Sequence, residues 1–123
     1  MKLHLQQAAA QNLFTGYGKD FVTVNQRNIE TNVVVLPERI IEPWNVISFD
    51  SLSEADFVEL ASLPVEIILL GTGPTIRFPH PKLSEALRKA NIGFEVMDTQ
   101  AACRTYNILL GEGRQIAAAL LIK

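Results

Sequence analysis

Val65-Glu66-Ile67-Ile68-Leu69-Leu70, stopped at Gly71, is the stretch that decides how this chain folds. A run so nearly free of polar residues reads as a strand buried on both faces, because a half-exposed strand alternates. Working outward toward the C-terminus, Pro81 suits the first turn of a helix. Leu83, Ala86, Leu87 and Ala90 then recur at i, i+3, i+4 and i+7, a single apolar stripe, with Asn91 and Gly93 as the stop. Phe94-Glu95-Val96-Met97 predicts a second strand, Asp98-Thr99 a helix start, and residues 99–110 a helix closed by Gly111. Residues 116–122 return as the last strand, and its Ala117-Ala118-Ala119 lets a neighbour pack very close to the sheet. Strand–helix–strand–helix–strand over about 65–122 is a βαβαβ unit, expected to be mostly parallel with right-handed crossovers.

Toward the N-terminus, Ser53-Glu54-Ala55-Asp56 has the pattern of a capping box. Leu52 and Phe57 are spaced as the accompanying hydrophobic staple, so a helix is expected over 54–61, ended by Pro64. Before it the rhythm is that of short strands. Residues 12–18 alternate weakly, Phe21-Val22-Thr23-Val24 is β-branched and aromatic, and Asn25-Gln26-Arg27-Asn28 is a turn cluster. Asn32-Val33-Val34-Val35-Leu36 answers as the next strand of a hairpin or small meander. Pro37 ends that strand, Pro43 limits the run 39–42, and residues 45–49 suggest one more short strand. The fold class is α/β: a β-rich half, about 12–49, that extends the sheet or covers its edge, then the βαβαβ half. With no repeat or linker, one domain over 1–123 is expected.

Composition excludes several function classes. Among 123 residues, 48% are apolar and 20% charged, which marks a globular chain. A formal net charge of −2 gives no overall pull toward nucleic acid or an anionic membrane. The one cysteine, Cys103, forms no intramolecular disulfide, and His4 and His80 are too few for a histidine-rich metal site. The opening Met1–Ala10 lacks an unbroken h-region, and the apolar run 116–122 is far short of a bilayer span of about 20 residues. A cytoplasmic location is expected, with no cofactor.

In an open α/β sheet, ligands favour the crevice beyond the carboxyl ends of the strands. That edge receives Gly71-Thr72-Gly73 and Arg77 from one strand and Asp98-Thr99 from another. The glycine turn can offer N–H groups to a small anion, with Arg77 adding charge and the helix at Thr99 its positive end. It also reads as a plain turn, since no dinucleotide fingerprint or phosphate-loop lysine accompanies it. Cys103, a turn into the last helix beside Arg104, is either a thiol activated by dipole and guanidinium or a small buried hydrophobe. Asp98 reads first as a helix cap, and Asn107, if buried, must find hydrogen-bond partners. Arg104 and Arg114 are expected to pair with Asp98 or Glu112, or to face an acidic partner, and His80 reads as a helix-entry residue. Trp44 is either an exposed anchor for a protein partner beside Phe14 or Tyr17, or a lid over the core.

Residues 94–122, with Glu95-Val96-Met97-Asp98-Thr99-Gln100-Ala101-Ala102-Cys103-Arg104-Thr105-Tyr106-Asn107 at their heart, resemble a family of small single-domain α/β proteins of unknown biochemical function. Ile67-Ile68-Leu69-Leu70-Gly71-Thr72-Gly73 supports the match, and residues 12–49 fit it more loosely. That family includes the mitochondrial respiratory complex I assembly factor 3 and a human adipogenesis-associated protein. The resemblance implies a three-layer fold around a central mixed sheet, no established enzyme activity, and a protein-binding or assembly role in the mitochondrial relatives. It supplies no agreed catalytic residues, so Gly71, Gly73, Asp98, Thr99, Cys103, Arg104 and Asn107 are carried over as site candidates only. Two functions follow. One is a non-enzymatic interaction or complex-assembly module with an unidentified protein partner. The other is a small-anion binder or enzyme built on the Gly71–Arg77 loop, Asp98-Thr99 and Cys103.

Overall fold

A computed structural model of the chain describes residues 11–122; Met1–Ala10, which carries His4 and the leader reading, and Lys123 lie outside the described residues. Eight strands and three α-helices follow in the order β1 (Phe14–Tyr17), β2 (Val22–Val24), β3 (Arg27–Ile29), β4 (Val33–Leu36), β5 (Arg39–Ile41), α1 (Glu54–Ala61), β6 (Ile67–Gly71), α2 (Glu85–Lys89), β7 (Gly93–Met97), α3 (Thr99–Gly111) and β8 (Ile116–Leu120). Five strands form a mixed sheet in the order β5-β4-β8-β6-β7. β6 runs parallel to both β7 and β8, as the βαβαβ pattern requires, and Leu69 sits opposite Glu95 on one side and Ala118 on the other. The β4–β5 hairpin extends the sheet antiparallel to β8. β1, β2 and β3 form a separate antiparallel meander.

Three layers result because every central strand is apolar on both faces. Val34, Leu36, Ile68, Leu70, Ala117 and Ala119 join one core with Phe57 and Leu60 of α1 and Leu87 of α2. Val33, Val35, Leu69, Ile116, Ala118 and Leu120 join the other, with Ala102, Cys103 and Tyr106 of α3 and Phe14, Val22, Val24 and Ile29 of the meander. The alanines of β8 are fully buried, two on the first face and one on the second. Edge-to-face ring pairs close each side: Phe57–Phe94 at 5.6 Å and Phe14–Tyr106 at 5.0 Å.

Several local expectations hold. Ser53 caps α1, with Asp56 reaching back to the Ser53 N–H at 2.9 Å, and both Leu52 and Phe57 are buried in the core below. Others change. The meander turns on Asn25-Gln26, both left-handed (φ 50° and 69°), so β2 pairs with Arg27–Ile29 and not with 32–36. Positive φ at both central residues is the signature of a two-residue hairpin loop, here reached without glycine. Residues 45–48 form no strand, and Phe49–Ser51 is a 3₁₀ turn. The stretch 81–84 stays in tight turns, with Leu83 and Ser84 N–H groups donating to the carbonyls of His80 and Pro81, so α2 is shorter than its apolar stripe. Gly111 is the last helical residue, and the left-handed position after α3 is Gly113 (φ 78°).

Candidate functional site

The carboxyl ends of β6, β7 and β8 converge where α3 begins, and the close approach there dictates residue types. A Cβ on Gly71 would lie 2.8 Å from Leu120 Cδ2 and 2.9 Å from Thr99 Cα, so only glycine lets the helix start directly on the strand end. Thr99, itself buried, is the knot. Its Oγ1 accepts from the Gly73 N–H (2.8 Å) and donates to the Leu121 carbonyl (2.9 Å), while its N–H donates to the Gly73 carbonyl (2.9 Å). Leu121 N–H in turn donates to the Gly71 carbonyl at 2.9 Å. Asp98 caps the helix, its Oδ1 accepting from Ala101 N–H at 2.9 Å.

These bonds draw the glycine turn inward. Thr72 N–H donates to the Met97 carbonyl (3.0 Å), and its hydroxyl donates to the Thr75 carbonyl (2.8 Å) while accepting from Arg77 N–H (3.0 Å). Arg77 leaves the crevice altogether. Its guanidinium donates to Asp50 (2.8 Å) and lies 4.1 Å over the Phe49 ring. The Gly71–Arg77 loop and the Asp98-Thr99 helix start are therefore brought together, but the N–H groups of Thr72, Gly73 and Arg77 and the Arg77 charge are engaged within the protein.

Cys103 is 1% exposed, packed between α3 and the sheet among the residues around Ala118. Burial pushes its thiol up to about 12, against a weaker opposing pull from Arg104, so at neutral pH it is a thiol and not a thiolate nucleophile. Asn107 finds its partners in the backbone of Phe14: Oδ1 accepts from the N–H (3.0 Å) and Nδ2 donates to the carbonyl (2.7 Å). Tyr106 OH donates to the Asn12 carbonyl at 2.9 Å, so α3 grips the meander at two successive points. Among the described residues Arg104 pairs with no carboxylate; its Nη1 donates to Tyr17 OH (2.9 Å), and Arg114 pairs with Glu66. His80 Nδ1 accepts from Lys82 N–H (3.1 Å), the local bond of a helix-entry residue. Trp44 is 6% exposed and belongs to the α1/α2 core, which makes it the lid and leaves no ring face for a partner.

A cleft of about 490 Å³ is open between the meander and the start of α3, and a smaller hollow of about 380 Å³ lies beside it over Cys103, Arg104 and Asn107. Gly73, Pro74, Asp98, Thr99, Gln100 and Arg104 line one side of the cleft, and Tyr17, Gly18, Lys19 and Phe21 the other. The second wall escapes sequence reasoning because it stands between 52 (Phe21 to Gly73) and 87 positions (Tyr17 to Arg104) from the first. Its local signal is Gly16-Tyr17-Gly18, where a Cβ on Gly18 would come within 2.2 Å of the Phe21 ring. Among the described residues, no three His, Cys, Asp or Glu side chains gather as a metal site, and no helix is long and apolar enough to cross a membrane.

Residues 14–121 match the model of a family described as protein of unknown function (DUF498/DUF598). The chain belongs to that family. Among its relatives, an NADH dehydrogenase [ubiquinone] 1 alpha subcomplex assembly factor 3 of Mus musculus is 39% identical over 90 residues, 72% of this chain and 48% of the mouse protein. The Danio rerio protein of the same name is 35% identical over 121 residues, 94% of this chain and 67% of its own length. This DUF498/DUF598 chain thus spans about half to two thirds of the assembly factors it matches. A crystal structure of a Bordetella parapertussis protein shares 35% identity and a TM-score of 0.85, over 91% of this chain and 96% of that one. Relatives of this chain are named as complex-assembly factors, and its fold is shared with the bacterial structure.

Proposed function

We propose that these 123 residues act as one domain, in the cytoplasm, as a non-enzymatic protein-interaction module that helps assemble a larger complex. The observation that carries this reading is the apolar surface left on two loops clasped together by the Arg77–Asp50 pair. Ile47 is 86% exposed, Phe78 72% and Ile76 49%, within a few residues of that pair. Large apolar side chains so exposed, carried on loops anchored to a rigid sheet, suit the buried centre of a protein–protein contact. The assembly-factor names of the relatives agree with it. So does the internal use of the glycine-turn amides, of Thr99 and of the Cys103 thiol, which leaves no nucleophile–base pair among the candidates.

The test is recovery of a partner from the native cell by tagged chain under mild crosslinking. A stoichiometric partner is expected, lost in Ile47→Asp/Phe78→Asp while the variant keeps its circular dichroism and melting temperature. No partner, or one retained equally by the variant, overturns the reading.

A further inference from the structure

The cleft between the meander and α3 has the chemistry of a ligand site that the assembly reading does not use. Its two cations come from distant segments, Lys19 from the β1–β2 loop and Arg104 from α3, and among the described residues neither is in an ion pair. Arg104 is held in place: Nη1 donates to Tyr17 OH at 2.9 Å, and the guanidinium stands 6.0 Å from the Tyr17 ring centre. A guanidinium carries five N–H donors in a planar fork, so one bond to a phenol leaves a pre-oriented face for an oxyanion. Lys19 adds a second positive charge from the opposite wall. Among the described residues the one lining carboxylate is Asp98, which accepts from Ala101 N–H at its helix start and also acts electrostatically on Arg104, so a bound oxyanion competes with it for the guanidinium.

Tyr17 and Phe21 give the same cleft flat apolar surface. The Phe21 ring lies down on Gly18, where any Cβ would displace it, so the loop's sequence is matched to this wall. Small-ligand pockets run to roughly 300–1,000 Å³ and combine apolar walls with a few placed polar groups, and about 490 Å³ falls within that range. We infer that this cleft binds a small ligand with an oxyanion head group on a flat apolar body, the head between Arg104 and Lys19 and the body against Tyr17 and Phe21. The inference is independent of the protein-partner reading, since it rests on other side chains and is tested on the purified chain alone.

The experiment is a titration of the isotope-labelled protein with phenyl phosphate, followed by amide resonances, with inorganic phosphate and benzyl alcohol as head-only and body-only probes. Saturable shifts at residues 17–21 and 98–104 are expected. Affinity should be about tenfold above either control, and fall about tenfold in Arg104→Gln and in Lys19→Gln, two exposed substitutions that leave the core intact. Absence of saturable shifts at those amides up to about 10 mM, an affinity unchanged in both variants, or inorganic phosphate binding as tightly as phenyl phosphate would each overturn it.

Discussion

The two faces of the central sheet are closed by different physics. On the α1/α2 side the helix contacts are apolar: Phe57, Leu60, Leu87, Trp44 and the even residues of β4 and β6 bury one another with no side-chain titrating group among them, and directional bonds enter at the margin, where Asn32 joins Val46 and Ile122. On the α3 side an equally apolar layer is overlaid by directional bonds, from Thr99 to Gly73 and Leu121, from Asn107 to Phe14, and from Tyr106 to Asn12. Area burial is non-directional and tolerates a change of shape at constant volume. A buried hydrogen bond is cheap to keep and costly to orphan. The α3 face should therefore be the one that rejects conservative substitutions.

Thr99→Val is nearly isosteric and strands the Gly73 N–H and the Leu121 carbonyl, at about 1–3 kcal/mol for each group left unpaired. Chemical denaturation should show that loss with an unchanged denaturant slope; near-wild-type stability would erase the contrast between the faces. Leu60→Met on the other side conserves volume, and the same measurement should give less than about 1.5 kcal/mol.

A finer test is alkaline. Cys103 and Tyr106, the titrating groups of the α3 core, are both pushed up by burial. Below pH 9 the thiol is neutral in both states and its contribution is intact. Between 9.0 and about 12 the unfolded chain releases the proton and the folded one keeps it, so stability falls as pH rises. By pH 10 the loss from this group is about 1 kcal/mol, and Cys103→Ala should flatten that limb of the stability profile.

How much was legible before the structure follows the same division. Ser53, Asp98 and the apolar run at 65–70 act through neighbours in sequence, and their roles could be read directly. The turn at Asn25–Asn28 could be placed by composition, but not its two-residue length or the strand that starts at Arg27, because no glycine marks the left-handed pair Asn25-Gln26. Arg77 looked like crevice chemistry from its distance to Gly73, yet Asp50 and Phe49 claim it. The second wall of the cleft was invisible for a simpler reason: Tyr17 meets Arg104 across 87 positions, and no local pattern encodes such a meeting.

The grip of Asn107 on Phe14 also sets a schedule. A side-chain amide that both donates to and accepts from one residue of β1 occupies the place a neighbouring strand would take, and it lies 93 residues downstream. During synthesis the meander emerges first but lacks its clasp until α3 has left the ribosome. Contacts of such sequence separation are slow to close, so the meander stays unclasped through most of the synthesis of this domain, and a truncation before Asn107 would release it.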